Sequence, residues 1–367
     1  MNVATTPEPS LVQPTQRLGA WPLRGTQRDW SNFVPPERID VLHLWIARFC
    51  QSKLLYRDNN PRADLVDSLT GSDEISTTDK ETYGNPCHPI LFRIGNGGAG
   101  YTGVLKVLAE RYIETHGSDF RIGWVANHSR HTQVALLGDV VQVALTYEPN
   151  NEDTAIEEGW ARRVCRAFND HFILVGSKRN AAKIEPGIVI TEVLRAISKR
   201  AESDSKDTII HTKGDGSATY FKEQKLLRAA GVDTLHVSWM HTHRLPPYQA
   251  LENAAKEYLS VYLLTDRATY LTAKRDGVIP DMRVYAEGGE ELLNPCAALI
   301  NTMVASSPSQ VAAVDFAEWL SSTEAQNIVE QYGKSWDHGK ALFTVAEQED
   351  FVSADRLTGS QKDMPLN

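Results

Sequence analysis

The sequence predicts an α/β fold. Short apolar runs suited to strands alternate with helical stretches from residue 89 onward, and the turns between them are short. Two of the strand-to-helix turns contain several glycines, one over 95–103 and one over 213–219. At 367 residues the chain can also hold two compact lobes with extensions.

The elements follow in chain order. Residues 1–36 are polar and read as a tail or a surface arm. A helix is expected over 37–54, with Ile39, Leu42, Leu44, Trp45, Phe49 and Cys50 on its apolar side. The stretch 56–88 is polar and reads as loop, so the folded unit starts near Pro89. A first strand begins at Ile90 and runs into the glycine turn. Val104, Leu105, Leu108, Ala109, Tyr112 and Ile113 then recur at helical spacing, and Gly117 stops that helix. Strands over 120–126 and 140–147 flank a helix over 132–137. A short fourth strand is expected over 172–176.

A helix over 190–200 and a short strand over 208–212 lead to the second glycine turn and its helix, which Gly231 ends. Leu251, Ala254, Ala255, Tyr258, Leu259 and Tyr262 mark a further helix. Ser307 and Pro308 form a cap and first-turn signal, and Thr323 with Gln326 reads as a capping box ended by Gly333.

Bulk composition limits the function classes. The net charge of -9, with no basic stripe interleaved with aromatics, argues against nucleic acid as a partner. No apolar run approaches the ~18 residues that cross a bilayer. The polar N-terminal stretch has no apolar core of the kind a secretory leader needs, so a cytoplasmic protein is expected, or a secreted one if a leader has been removed. Cys50, Cys87, Cys165 and Cys296 are scattered. They read as packed free thiols, with a Cys50–Cys87 disulfide as the other reading.

The first glycine turn admits three readings. Gly95, Gly97 and Gly100 satisfy the dinucleotide pattern GxGxxG, and Arg130 could meet a 2′-phosphate. Against this, Asn127 stands where that motif wants an acid, and the helix over 132–137 is too short for a dinucleotide half. A second reading is tight packing of helix on sheet. A third is a small-anion or small-polar-ligand site, favoured because a similar turn recurs at Lys213 and could face the first across a cleft. No cofactor is expected.

The runs RIGNGGAG at 93–100, GDVVQVALTY at 138–147, FNDHFILVG at 168–176, KGDGSAT at 213–219, YLLTDRATYL at 262–271 and LNP at 293–295 occur in a recognisable order. Together they resemble the type II periplasmic-binding-protein fold, in its tungstate-binding branch and that branch's fungal relatives. The resemblance implies two α/β lobes with a ligand held in the cleft between them. It implies a first lobe over 89–175 and 265–335, a second over 176–264, an N-terminal extension over 1–88 and a tail over 336–367.

The implied ligand contacts are Asn96, Gly97, Gly98, Tyr101, Thr102, His128, Ser129, Tyr147, Lys213, Asp215, Ser217 and Thr219. Three departures stand out. Asn96, Tyr101 and Thr102 are the only polar side chains of a turn that is rich in Thr and Ser in tungstate binders. The family's Gly-Thr-Gly turn after the second strand is replaced by Asn127, His128 and Ser129. Lys213 stands where bacterial relatives tend to carry Arg, and it lacks the bidentate fork.

His241 and His243 would point the same way in an extended segment, and His211 or His236 could complete a zinc site. Against it, no Glu sits at a metalloprotease spacing, and in the resembling family the segment is a linker before a helix, so no metal is expected. Asp266 and Arg267 are expected at a lobe crossing as an internal ion pair. The leading expectation is reversible binding of a small anionic or polar ligand, oxyanion-like, between closing lobes. The alternative is a cytosolic enzyme that uses His128, His171 or Lys213 as acid or base on a small organic substrate.

Overall fold

The computed structural model of the chain describes residues 75–234, 237–337 and 339–347. The expected tail over 1–36, the helix over 37–54 and most of the stretch 56–88 lie outside them, as do Cys50 and His236.

In chain order the elements are β1 (Glu81–Tyr83), β2 (Ile90–Asn96), α1 (Gly98–Thr102), α2 (Val104–His116), β3 (Arg121–Ala126), α3 (Ser129–Leu137), β4 (Val143–Thr146), α4 (Pro149–Glu157) and β5 (Ala161–Ser177). Next are α5 (Ile190–Ser203), β6 (Thr208–Lys213), α6 (Ala218–Ala229), β7 (Met240–His243), α7 (Pro247–Ala255), β8 (Ser260–Asp266) and α8 (Arg267–Arg275). Then come β9 (Met282–Glu287), β10 (Leu293–Asn301), α9 (Pro308–Trp319) and α10 (Thr323–Gln331).

The strands take the order β1-β3-β2-β4-β10-β5-β8-β6-β7, with β9 also on β5. β2 is parallel to β3 and to β4, and β6 is parallel to β7 and to β8. Between these two parallel groups runs β5. Its first stretch pairs antiparallel with β10, and its last stretch pairs antiparallel with β8 and β9.

The expected short strand over 172–176 is therefore the end of a 17-residue strand. Its first part was hidden because Arg162, Arg163 and Arg166 break the apolar run. Arg163 and Arg166 instead pair with Glu152 of α4, which is fully buried.

Side-chain alternation along β5 divides the core. Ile173 and Val175 enter one core with α2, α7, α8 and α9, and that core runs under both halves of the sheet. Phe172 and Leu174 enter a second core with α5 and α6. A third, formed by α3, β4 and Trp160, covers the corresponding face of the first half. Ala167 and Phe168 both face the first core. The register shift opposite Cys296 and Ala297 allows this, since one extra residue re-aims the strand.

Two other expectations need correction. The helix expected to reach Tyr262 ends at Ala255, and 260–266 form β8, an inner strand buried at every residue. A continuous apolar run buried on both faces carries no period to tell helix from strand. The capping residue of α10 is Ser322 rather than Thr323; its hydroxyl accepts from Ala325 N at 3.2 Å. Gln326 turns inward to the carbonyls of Ala167 and Leu320. Thr265 and Asp266 pair with Ile173 and Phe172, which lie near the end of the first segment of the expected first lobe. The chain rejoins β4 only at β10. Cys87 is an exposed free thiol, and Cys165 and Cys296 are buried ones.

The glycine turn explains much of the local packing. A Cβ on Gly100 would collide with the Trp124 ring, whereas one on Gly98 meets nothing within 4 Å. Gly100→Ala is therefore expected to cost about 1–3 kcal/mol through overpacking. Gly98→Ala should leave stability almost unchanged. Urea denaturation of both variants checks the contrast, and equal effects would remove the close approach of α1 to Trp124 as the reason for the glycine.

Candidate functional site

The carboxyl ends of β2, β3 and β4 converge on one place, as expected for ligand-facing loops of an α/β sheet. At the end of β2, Asn96 is fully buried and its amide is committed. Nδ2 donates to the Leu145 carbonyl at 3.0 Å, and Oδ1 accepts from Gly100 N at 3.0 Å. Trp124 Nε1 donates to the Asn96 carbonyl at 2.9 Å. A Cβ on Gly97 would stand 3.1 Å from the Asn127 carbonyl, so the two loops touch there. Thr102 is turned inward, donating to the Ala99 carbonyl at 2.7 Å. Tyr101 is exposed, with its ring edge-on to Trp124.

His128 ends the loop after β3 and is the N-cap residue of α3, yet its side chain caps nothing. Its ring lies 3.8 Å from that of His131, and its Nδ1 is buried with no hydrogen-bond partner. Burial, followed by the neighbouring His131, lowers the His128 pKa well below the ordinary value; Arg130 and Lys213 act the same way, against the opposing charge of Asp215. The ring is therefore neutral near pH 7. Ser129 Oγ accepts from Tyr147 N at 3.2 Å. The Tyr147 hydroxyl is buried with the Asn96 side chain and the Cys296 thiol beside it, and makes no hydrogen bond of ordinary geometry. Burial, then the nearby Cys296 thiol and Asp170, push its pKa well up.

The second half contributes the turn after β6. Lys213 Nζ donates to the Leu245 carbonyl at 2.8 Å and lies 2.6 Å from Asp215 Oδ2. Asp215 Oδ1 accepts from Ser217 N at 3.0 Å. Burial pushes the Asp215 pKa up, but Lys213 and Ser217 outweigh this and hold it below the usual carboxylate range. Ser217 caps α6 by accepting from Tyr220 N. Thr219 is half-buried in the first turn of α6.

The two sides meet. The Arg130 guanidinium stacks 3.9 Å above the Phe221 ring of α6 and pairs at 2.7 Å with Glu148, both charges being buried. Of the expected contacts, Asn96, Gly97, His128, Ser129 and Tyr147 thus lie together, and the charges of Lys213 and Asp215 act on His128. Tyr101 and Thr102 are directed elsewhere.

His171 is not with them. Its Nε2 lies 2.9 Å from Thr344 Oγ1, and burial followed by the Arg267 charge lowers its pKa to about 4. Asp266 does not pair with Arg267. It caps α8 through Thr269, while Arg267 Nε donates to the Leu342 carbonyl. His211, His241 and His243 cluster on β6 and β7, with ring centroids 6.1 and 5.9 Å from that of His211. Among the described residues, no group of three His, Cys, Asp or Glu side chains is arranged to hold a metal ion.

Sequence reasoning missed the Arg130–Glu148 pair, Phe221 and the buried acids Asp170 and Glu223. Glu148 was findable. Pro149 at the first turn of α4 signals a helix start, which puts Glu148 at its N-cap.

Residues 71–349 match the PBP superfamily domain. The chain belongs to that superfamily. A candidate periplasmic metal-binding protein of known crystal structure is 31% identical to this PBP chain, with a TM-score of 0.64, over 74% of this chain and 100% of that one. The tungstate-binding protein TupA from Peptoclostridium acidaminophilum is 27% identical over 180 residues, 48% of this chain and 58% of the relative. The match thus spans little more than half the length of that relative. TupA from Desulfovibrio alaskensis G20 shares the fold, with a TM-score of 0.57 at 21% identity, over 71% of this chain and 100% of that one. The relative that is 31% identical is periplasmic, which overturns the expected cytoplasmic location.

Glu223 gives the PBP domain a measurable pH signature. It is buried and accepts from the Thr212 hydroxyl and from Lys213 N, and burial raises its pKa to about 8. The folded state therefore holds this proton more tightly than the unfolded chain. The stability it contributes is full below the ordinary carboxylate range and is lost as pH rises towards about 8. Within that window its slope is about 1.4 kcal/mol per pH unit. Glu223→Gln, which can still accept from Lys213 N, should remove that slope in denaturation measured at several pH values.

Proposed function

We propose that the protein binds a small oxyanion of the tungstate class between the two halves of its sheet. The observation that carries this is a pair of buried polar atoms at the carboxyl ends of β3 and β4, the unpartnered His128 Nδ1 and the Tyr147 hydroxyl, which has only the Asn96 and Cys296 side chains beside it. Leaving such atoms unsatisfied costs about 1–3 kcal/mol each, and a ligand rich in acceptor oxygens would repair this. The first N–H groups of α3 have no side-chain cap and their dipole favours an anion at the same point. Lys213, close enough for its charge to act on His128, supplies an ammonium from the other half. Gly97 and Gly98 let backbone approach from the β2 side, and Ser129, Asp215, Ser217 and Thr219 frame the loops. The tungstate-binding relatives support the same ligand class.

The lobes are drawn at the strand crossings. The first comprises 75–171 and 293–347, and the second comprises 172–292. Closure of one on the other brings Arg130 onto Phe221. The enzyme alternative has less support, because Thr344 engages His171, and Asp215 and Leu245 engage Lys213.

Calorimetry with tungstate, molybdate, sulfate and phosphate tests the reading. Loss of the charged hydrogen bond in Lys213→Ala should weaken binding by ~1.5–3 kcal/mol, and Tyr147→Phe should cost ~0.5–1.5 kcal/mol. Tyr147→Phe should cost the free protein no more than about 1 kcal/mol, since the hydroxyl it removes makes only weak contacts with Asn96 and Cys296. Failure of the native protein to bind any of the four anions would end the proposal.

A further inference from the structure

We infer that Asp215 is a built-in competitor for the bound oxyanion and limits the site's preference for doubly charged ligands. This rests on the oxyanion reading above and concerns how that site selects by charge.

The geometry is specific. Both Asp215 oxygens take donors that an anion would use. Oδ2 lies 2.6 Å from Lys213 Nζ, and Oδ1 accepts from Ser217 N at 3.0 Å, at the cap of α6. The pair is largely removed from water, with the Lys213 side chain 5% and the Asp215 side chain 12% exposed. A carboxylate in this place does what a ligand oxyanion would do: it neutralises the ammonium and occupies the turn.

Among the described residues of the site, the other guanidinium is already engaged. Arg130 is engaged by Glu148 and stacked on Phe221. His128 is neutral and contributes a dipole only. An arriving anion must therefore displace Asp215 from Lys213 or bind beside a fixed negative charge. Either cost grows with the ligand's own charge, because the repulsion is proportional to it. Dipolar donors such as Tyr147 and the N-terminus of α3 discriminate less by charge. The native site should then distinguish weakly between a dianion and a monoanion of the same shape.

Tungstate and perrhenate supply that comparison, being tetrahedral oxyanions of similar size with charges of two and one. Calorimetry is run with both on the native protein, Asp215→Asn and Asp215→Ser. Each variant removes the charge, and each keeps a short side chain that can accept from Ser217 N. In the native protein tungstate should be preferred by less than about tenfold, as expected when the ammonium is already neutralised. In the variants tungstate should bind about tenfold or more tighter, and perrhenate only about threefold.

A larger native preference for tungstate overturns the inference, as does an unchanged, weakened or charge-independent response in variants that unfold at the native midpoint. In those cases native binding leaves the oxyanion reading standing. If neither the native protein nor the variants bind either anion, the reading and the inference fail together. Should the variants not fold, the native ratio decides alone.

Discussion

The constraint on which this structure depends is the crossing made by β5. One strand must satisfy β10 along its first stretch and both β8 and β9 along its last. It does so while its side chains serve different cores: Ile173 and Val175 on one face, Phe172 and Leu174 on the other. A shift of one residue would exchange these faces, so the register is fixed by burial on both sides. The bulges near Val164 and Ala167 lie within the stretch paired with β10, ahead of the change of partner at Phe172. The two parallel groups are then held at a set spacing, and the loops at their carboxyl ends point into a common space.

That space is polar but nearly neutral. The strongest charges are paired within each half: Arg130 with Glu148, Arg163 and Arg166 with Glu152, and Lys213 with Asp215. The remaining buried acids are pushed towards the protonated form. Burial raises Asp170 and Asp266, and each adds to the effect on the other or on Tyr147. Such pairing is what low-dielectric burial requires, since an isolated ion would cost far more than its interactions return. On the proposed reading, recognition is left to dipoles, the His128 and Tyr147 polar atoms and the Lys213 ammonium. That combination suits a ligand whose charge is spread over several oxygens.

Much of the fold was legible in the sequence, for particular reasons. The helix α2 was readable because one face is apolar at helical spacing and Gly117 ends it, and α9 because Ser307 and Pro308 announce it. The glycine turn was readable as a turn. Its packing role was not, because Trp124 lies across the sheet from Gly100. β8 was misread because an inner strand has no polar period, and the first part of β5 because its arginines answer to a glutamate on a helix that was not expected. Within the site, His128 and Lys213 were visible as residue types at strand ends. Arg130 was considered only as a dinucleotide contact, since nothing local reveals that Glu148 and Phe221 meet it. Pairings made by tertiary approach leave no mark in local spacing.

The contact of Arg130 with Phe221 also bears on how the two halves would move. A buried guanidinium over an aromatic ring contributes about 2 kcal/mol. The cores that flank the site on this face are separate, one built on α3 and the other on α5 and α6. The opposite face is different, because the first core runs continuously beneath both halves and through β5. On the proposed two-lobed reading, opening at the site would break a modest polar contact and leave the main core intact. A ligand shifts such an equilibrium only by its differential affinity for the closed form. Moving a population from mostly open to mostly closed takes about 5.5 kcal/mol of that differential. Arg130 over Phe221 already covers part of this, and donors from both halves converging on one anion would supply the rest. On the same reading, Glu148 would contribute to closure. Its carboxylate holds the guanidinium by accepting from Nε at 2.7 Å, so less side-chain freedom would be lost on proposed closure.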